Sequence, residues 1–245
     1  MSYRCLQTAE PISSALGVPI YVEHGERASL PSPHCSTPTH PPAPGLAEWF
    51  SPVVPGTGLH PRPGSAASLQ QHVPAIDPAW SSVWYVPRRG EDVPQIHDRT
   101  DAFLDVFAAE IERRFPATHE RVLLVSHAAT VIALVRGLLG DRALPVRVGC
   151  CSLSEFERIP DARSMLGGWK ALRVADGSHL KDGASRDWGF EDIEIAGGKV
   201  RRGGAPVLQL LMSFKVVEDP GVPGSELLDK KDEPVGSQVH VSSNL

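Results

Sequence analysis

The chain has no uninterrupted apolar run long enough to cross a bilayer. Its strongest apolar stretch, 122–139, is broken by Ser126-His127 and by Arg136, which are costly in hydrocarbon. Also missing is any window where lysine and arginine gather into a basic face. With a formal net charge of −5, direct binding to nucleic-acid phosphates is disfavoured. Cysteine is scarce: Cys5, Cys35, Cys150 and Cys151, two of them adjacent, make no framework for stapling a secreted domain. A reducing compartment fits better. The first residues, Met-Ser-Tyr-Arg-Cys-Leu-Gln-Thr-Ala, hold no apolar core of signal-peptide length. The expectation is a soluble protein of cytoplasm or nucleus, with no membrane or direct nucleic-acid contact. No internal repeat marks a solenoid or propeller.

What the chain has in quantity is proline and glycine, 23 and 22 of 245 residues. They crowd into a few stretches, which points to one packed core with flexible additions and not to two cores. From Glu26 to Pro44, six prolines lie among serine, threonine and histidine. Such a segment cannot bury enough surface to offset its ordering entropy and should be a disordered insert. From 176 to 245 the sequence reads as an acidic, low-complexity tail, apart from the apolar run Val207–Met212 inside Arg201–Lys215. The folded domain is therefore expected over 1–175, interrupted at 26–44.

Residues 4–16 have helical character, with Leu6, Ala9 and Leu16 on the inner side and Gly17 as a stop. Pro19–Glu23 reads as a short strand, and 46–87 as an irregular layer pinned by Trp49, Trp80 and Trp84. The clearest helix is Thr100–Phe115, where Phe103, Val106, Phe107, Ile111 and Phe115 recur at helical spacing before Pro116. Arg121–Ser126 is an apolar run of buried-strand type, followed by a helix from about Thr130 to Leu139 with Gly140 as its cap. Cys151–Arg158 and Gly168–Val174 are further strand candidates. Helix, strand, helix is the grammar of an α/β sheet covered on its faces.

Two short motifs carry chemistry. Ser126-His127-Ala128-Ala129 falls where the expected strand ends and a helix begins, a position suited to an anion because free N–H groups and the positive dipole end face it. His127 is thus either a phosphate ligand or a packing and capping histidine. Arg4 opens Arg4-Cys5-Leu6-Gln7-Thr8-Ala9, and a guanidinium fork can hold two phosphate oxygens at once. Alone, it would read as a solvated arginine near a terminus.

Taken together, Arg-x-x-Gln-Thr-Ala, a strand ending in Glu23, and an apolar run closed by Ser-His-Ala-Ala resemble the histidine phosphatase superfamily, the phosphoglycerate mutase-like fold. The similarity spans Ser2 to Val174 with the Pro-rich insert set aside. It implies an α/β fold with a mainly parallel sheet covered by helices, and phosphomonoester hydrolysis through a phosphohistidine with no cofactor and no metal. By motif it makes Arg4 a phosphate-clamping arginine, His127 the second pocket histidine and Glu23 the proton donor. Glu48 is the reserve acid, because Glu23-His24-Gly25 spliced to Leu46-Ala47-Glu48-Trp49 resembles one form of the acid motif.

The nucleophile of that superfamily lies in an Arg-His-Gly motif, and this sequence contains none. The resemblance then implies that the chain as given is inactive, that its first strand is missing and that a hydrophobic sheet edge is left open. It also casts the start, 26–44 and 201–215 as products of a misassigned gene structure. Trp80 to Glu91, with Trp84, Tyr85 and Arg88-Arg89, and Asp187–Ile195 are similar to fungal members, the phosphatase-like tau-55-type subunits of the RNA polymerase III factor IIIC. That implies a second reading, a non-catalytic interaction module whose partners are transcription factor IIIC subunits and whose aromatic segments form contact surface. His34, Cys35 and His40 lack the spacing of a tetrahedral metal site and read as surface residues.

Overall fold

The computed structural model describes residues 3–23, 46–52, 60, 66–80, 90–116, 121–196 and 199–202. The Pro-rich insert 26–44, the segment around Trp84 and Arg88, and the Val207–Met212 run lie outside them.

Helix α1, Tyr3–Leu16, buries Cys5, Leu6 and Ser13 along one stripe. Leu6 packs with Ile20, Val22, Val73 and Ile76, and each such side chain taken fully out of water stabilises by roughly 1.5–3 kcal/mol. Leu16, expected inside, is 66% exposed, because Gly17 turns the chain at φ +65° before any neighbour covers the last turn. Ser13 helps that turn by donating its hydroxyl to the Val18 carbonyl. The expected strand after it is reduced to an isolated parallel bridge between Ile20 and Ile76.

A short helix α2, Ala66–Gln70, leads to that bridge. Helix α3, Val93–Arg114, starts seven residues before the expected Thr100. The cause is a capping box: Gln95 N–H donates to Asp92 Oδ1 and Asp92 N–H donates to Gln95 Oε1, both at 2.8 Å. Ile96, Phe103 and Leu104 are buried, whereas Val106 is 40% exposed and so lies off the inner stripe. Helix α4, Ala128–Leu139, packs along α3 and buries Ile132, Ala133, Leu134 and Val135. Gly140, at φ +72°, ends it as the left-handed cap read from the sequence.

The described strands pair antiparallel. Strand β1 (Val148–Cys150) pairs with β4 (Ser185–Trp188), β2 (Leu153–Arg158) with β3 (Trp169–Asp176), and β5 (Ile193–Ala196) with β6 (Lys199–Arg202). The fold is α/β in content, but the described strands do not form the mainly parallel sheet that was expected. Residues 121–126, expected as a buried strand, form no helix or strand and have no strand partner among the described residues. Val122 and Leu123 are 50% and 53% exposed, while Leu124 packs beneath α3 and α4. The run has strand-forming residues but no described neighbour with which to form a ladder.

The packing also continues past residue 175. Trp188 and Phe190, on β4 and the 3-10 turn Phe190–Asp192, sit against Trp49 and the α4 core. Arg147 locks this turn down by binding the carboxylates of Asp187, Glu191 and Asp192. Trp80 and Phe190 are 5% and 9% exposed, so these aromatics are core anchors and not the contact surface expected of them.

Candidate functional site

His127 is the residue just before α4, in extended conformation, and its side chain does not cap the helix. The first turn of α4, whose N–H groups have no acceptor within the helix, begins beside it. Two hydroxyls from the same place reach across to residues 46–48: Ser126 Oγ donates to the Leu46 carbonyl at 2.7 Å, and Thr130 Oγ1 to the Ala47 carbonyl at 2.6 Å. That clamp delivers Glu48, the next residue, to the ring of His127.

Beyond Glu48 the segment stays fixed. Trp49 Nε1 donates to the Glu91 carbonyl and Glu91 N–H to the Phe50 carbonyl, each at 2.8 Å. Gly90 is needed beside it, since a Cβ there would lie 2.2 Å from the Ser51 carbonyl oxygen at a φ of +78°. Below, Glu91 and Arg99 form a buried ion pair at 2.9 Å, with burial raising the Glu91 pKa. The site is thus held by a rigid floor.

Four side chains meet at the start of α4. Arg4, on the first turn of α1, is largely exposed and lies 3.3 Å from Glu48 Oε1. Glu48 Oε1 lies 3.7 Å from His127 Nδ1, an electrostatic contact longer than a hydrogen bond. On the other side of the ring, Cys5 Sγ is 3.4 Å from His127 Nε2. Burial lowers the His127 pKa below its usual value, outweighing the raising effect of Glu48, so the neutral ring is favoured. Burial, with Glu48 second, pushes the Cys5 thiol up to about 11.

Arg4, His127 and Glu48, picked from sequence motifs, therefore come together. Glu23, picked as the proton donor, is 2% exposed and accepts a hydrogen bond from Trp80 Nε1 at 2.9 Å. It thereby anchors an aromatic group in which Trp80 is stacked on Phe115, tilted against Tyr21 and covered by the Arg114 guanidinium. Cys5 was not picked. Its only signal was adjacency to Arg4, and nothing in spacing alone says which neighbour a helix turns toward His127. Among the described residues no group of three histidine, cysteine or carboxylate side chains could hold a metal ion. No described helix is long and apolar enough to cross a membrane.

Chemically, the cluster brings together an exposed arginine, a histidine, a thiol and a carboxylate at the start of a helix. Residues 64–167 match the family model described as histidine phosphatase superfamily (branch 1). The chain is also similar to the transcription factor tau 55 kDa subunit of Saccharomyces cerevisiae, 25% identical over 221 residues that cover 80% of this chain. It spans 46% of that relative's length.

Proposed function

We propose that this chain, which carries a histidine phosphatase superfamily domain, works as a phosphate-binding, phosphatase-like subunit of a transcription-factor assembly. The observation that carries the binding half is the meeting of Arg4, Glu48 and His127 at the start of α4. Arg4 swings from Glu48 to clamp two oxygens of the anion, while the α4 N–H groups and His127 take the others. Glu48 is better placed than Glu23 to give a proton to a leaving oxygen, since Glu23 is committed to Trp80. With no Arg-His-Gly in its sequence, the chain binds phosphate without turning over a phosphomonoester.

Resemblance to the yeast tau 55 kDa subunit supports the assembly half. On this reading the partners are other subunits of factor IIIC, and the location is the nucleus; the cytoplasmic alternative has no support of this kind. We read 19–23, with its parallel bridge from Ile20 to Ile76, and 121–126 as positions of the parallel sheet that the superfamily resemblance implies.

Titration of the full chain with orthovanadate and phosphate by calorimetry tests the binding half. Saturable one-site binding is expected, weakened about 10- to 100-fold in Arg4→Ala or His127→Ala, the usual cost of a charge-assisted hydrogen bond. Binding that survives both substitutions unchanged would place the anion elsewhere. For the assembly half, the tagged chain should co-purify factor IIIC subunits from fungal nuclear extract, and their absence would overturn it.

A further inference from the structure

We infer that Cys5 is a positioning residue: its thiol fixes His127 in the tautomer that carries the proton on Nδ1, and so competes with any anion for Nε2. The argument is geometric. The imidazole lies between Cys5 Sγ, 3.4 Å from Nε2, and Glu48 Oε1, 3.7 Å from Nδ1. A neutral ring has one donor and one acceptor nitrogen. With the proton on Nε2, the Nδ1 lone pair would face a carboxylate oxygen, two acceptors with no proton between them. With the proton on Nδ1, the ring's N–H dipole points at the carboxylate, and Nε2 accepts from the S–H. Cys5 is 5% exposed, so water does not supply Nε2 with an alternative donor from that side. The raised thiol pKa agrees, since the sulfur keeps its proton.

An anion arriving at the start of α4 needs a donor from His127. In the resting form Nε2 is an acceptor already engaged by the thiol, so binding requires the ring to take up a proton or exchange tautomer, releasing Cys5. This consequence rests on the phosphate-binding reading above, whereas the tautomer itself does not.

The test is the His127 ring in long-range proton–nitrogen spectra of the full-length chain, uniformly labelled with nitrogen-15. The wild type should show the pattern of a proton on Nδ1. Cys5→Ser keeps a donor and should preserve it, whereas Cys5→Ala should shift the ring toward the Nε2-protonated form. An Nε2-protonated wild type, or an alanine variant with an unchanged ring, would overturn the inference. In the orthovanadate titration Cys5→Ala should bind about two- to fivefold more tightly than wild type and Cys5→Ser should not, the scale of one weak neutral hydrogen bond. If none of the three proteins binds vanadate, the phosphate reading fails, and the ring spectra alone decide the tautomer.

Discussion

Glu48 does two opposing things at the site, and a single substitution separates them. It occupies Arg4 at 3.3 Å, and it sets a negative charge beside the place where an anion would sit. Both effects oppose anion binding, yet with the Arg4 side chain 68% exposed the pair is a surface one, worth roughly 0.2–1 kcal/mol. Glu48→Gln should therefore tighten vanadate binding about two- to fivefold by calorimetry. Its removal should also lower the His127 pKa further, because Glu48 now works against the effect of burial. Tighter binding with an upward-moving His127 titration would show that the carboxylate does not face the ring. The site residues were legible in unequal measure. Arg4 and His127 could be found because each stands in a short motif next to a helix start, where chemistry depends on local sequence. Glu48 was reachable only by reading across the Pro-rich insert, and Glu23 stood ahead of it because both fall within the one acid motif that splicing 23–25 to 46–49 resembles. What sets their surroundings apart is Trp80, 57 residues from Glu23, whose indole N–H donates to the Glu23 carboxylate.

Helices α3 and α4 are joined by a buried polar link that the periodicity of either gives no hint of. His97 donates from Nδ1 to the Val93 carbonyl at 2.7 Å and accepts at Nε2 from Arg136 Nη1 at 3.2 Å. Arg136 continues to the Leu144 carbonyl at 2.9 Å and lies over the Phe190 ring. Both nitrogens of His97 are thus committed to the neutral form, and burial lowers its pKa from the usual 6.5. The sign of the stability effect follows. Below pH 6.5 the unfolded chain takes up a proton that the folded chain resists, so stability is full above that pH and is lost as pH falls toward the folded value. His127, with its pKa also lowered by burial, adds to the same slope. Denaturant unfolding at several pH values should show stability falling below pH 6.5, and His97→Gln should flatten that slope while lowering stability at neutral pH. A slope unchanged by the substitution would mean that other groups carry it. At this scale the sequence was a good guide where signals are local: the Gly140 cap and the apolar stripe of α4 were readable in advance. It failed at 121–126, because whether an apolar run becomes a strand depends on a partner strand that no local pattern specifies.

Where the folded unit ends is a property of the whole molecule, and the composition misplaced it. The residues from 176 onward are polar and acidic, as a disordered tail would be, but Arg147 gathers three of those acids, Asp187, Glu191 and Asp192, and fixes the turn that carries Phe190. The acids look like solvated charge in sequence because their counter-ion lies some forty residues upstream. Phe190 then enters the largest apolar cluster, beside Ile96, Ile132, Val135 and Val148, with Trp49 and Trp188 edge-on to its ring. The same cluster includes Ala129, Ile132, Ala133 and Val135 of α4, the helix that His127 precedes, so Phe190 supports that helix. Phe190→Ala should cost about 3–5 kcal/mol, the range for removing a buried phenylalanine ring. Chemical denaturation reads that loss directly, and the expected companion result is weaker vanadate binding at temperatures where the variant begins to unfold. A cost under about 1 kcal/mol, the level of an ordinary surface substitution, would put the turn outside the cooperative unit and restore a boundary near residue 175. Limited proteolysis separates the outcomes a second way. If Phe190 belongs to the core, the resistant fragment of the wild-type chain extends past Asp192, and in Phe190→Ala the new cleavage appears between β3 and β4, with β1 losing its partner strand as a consequence.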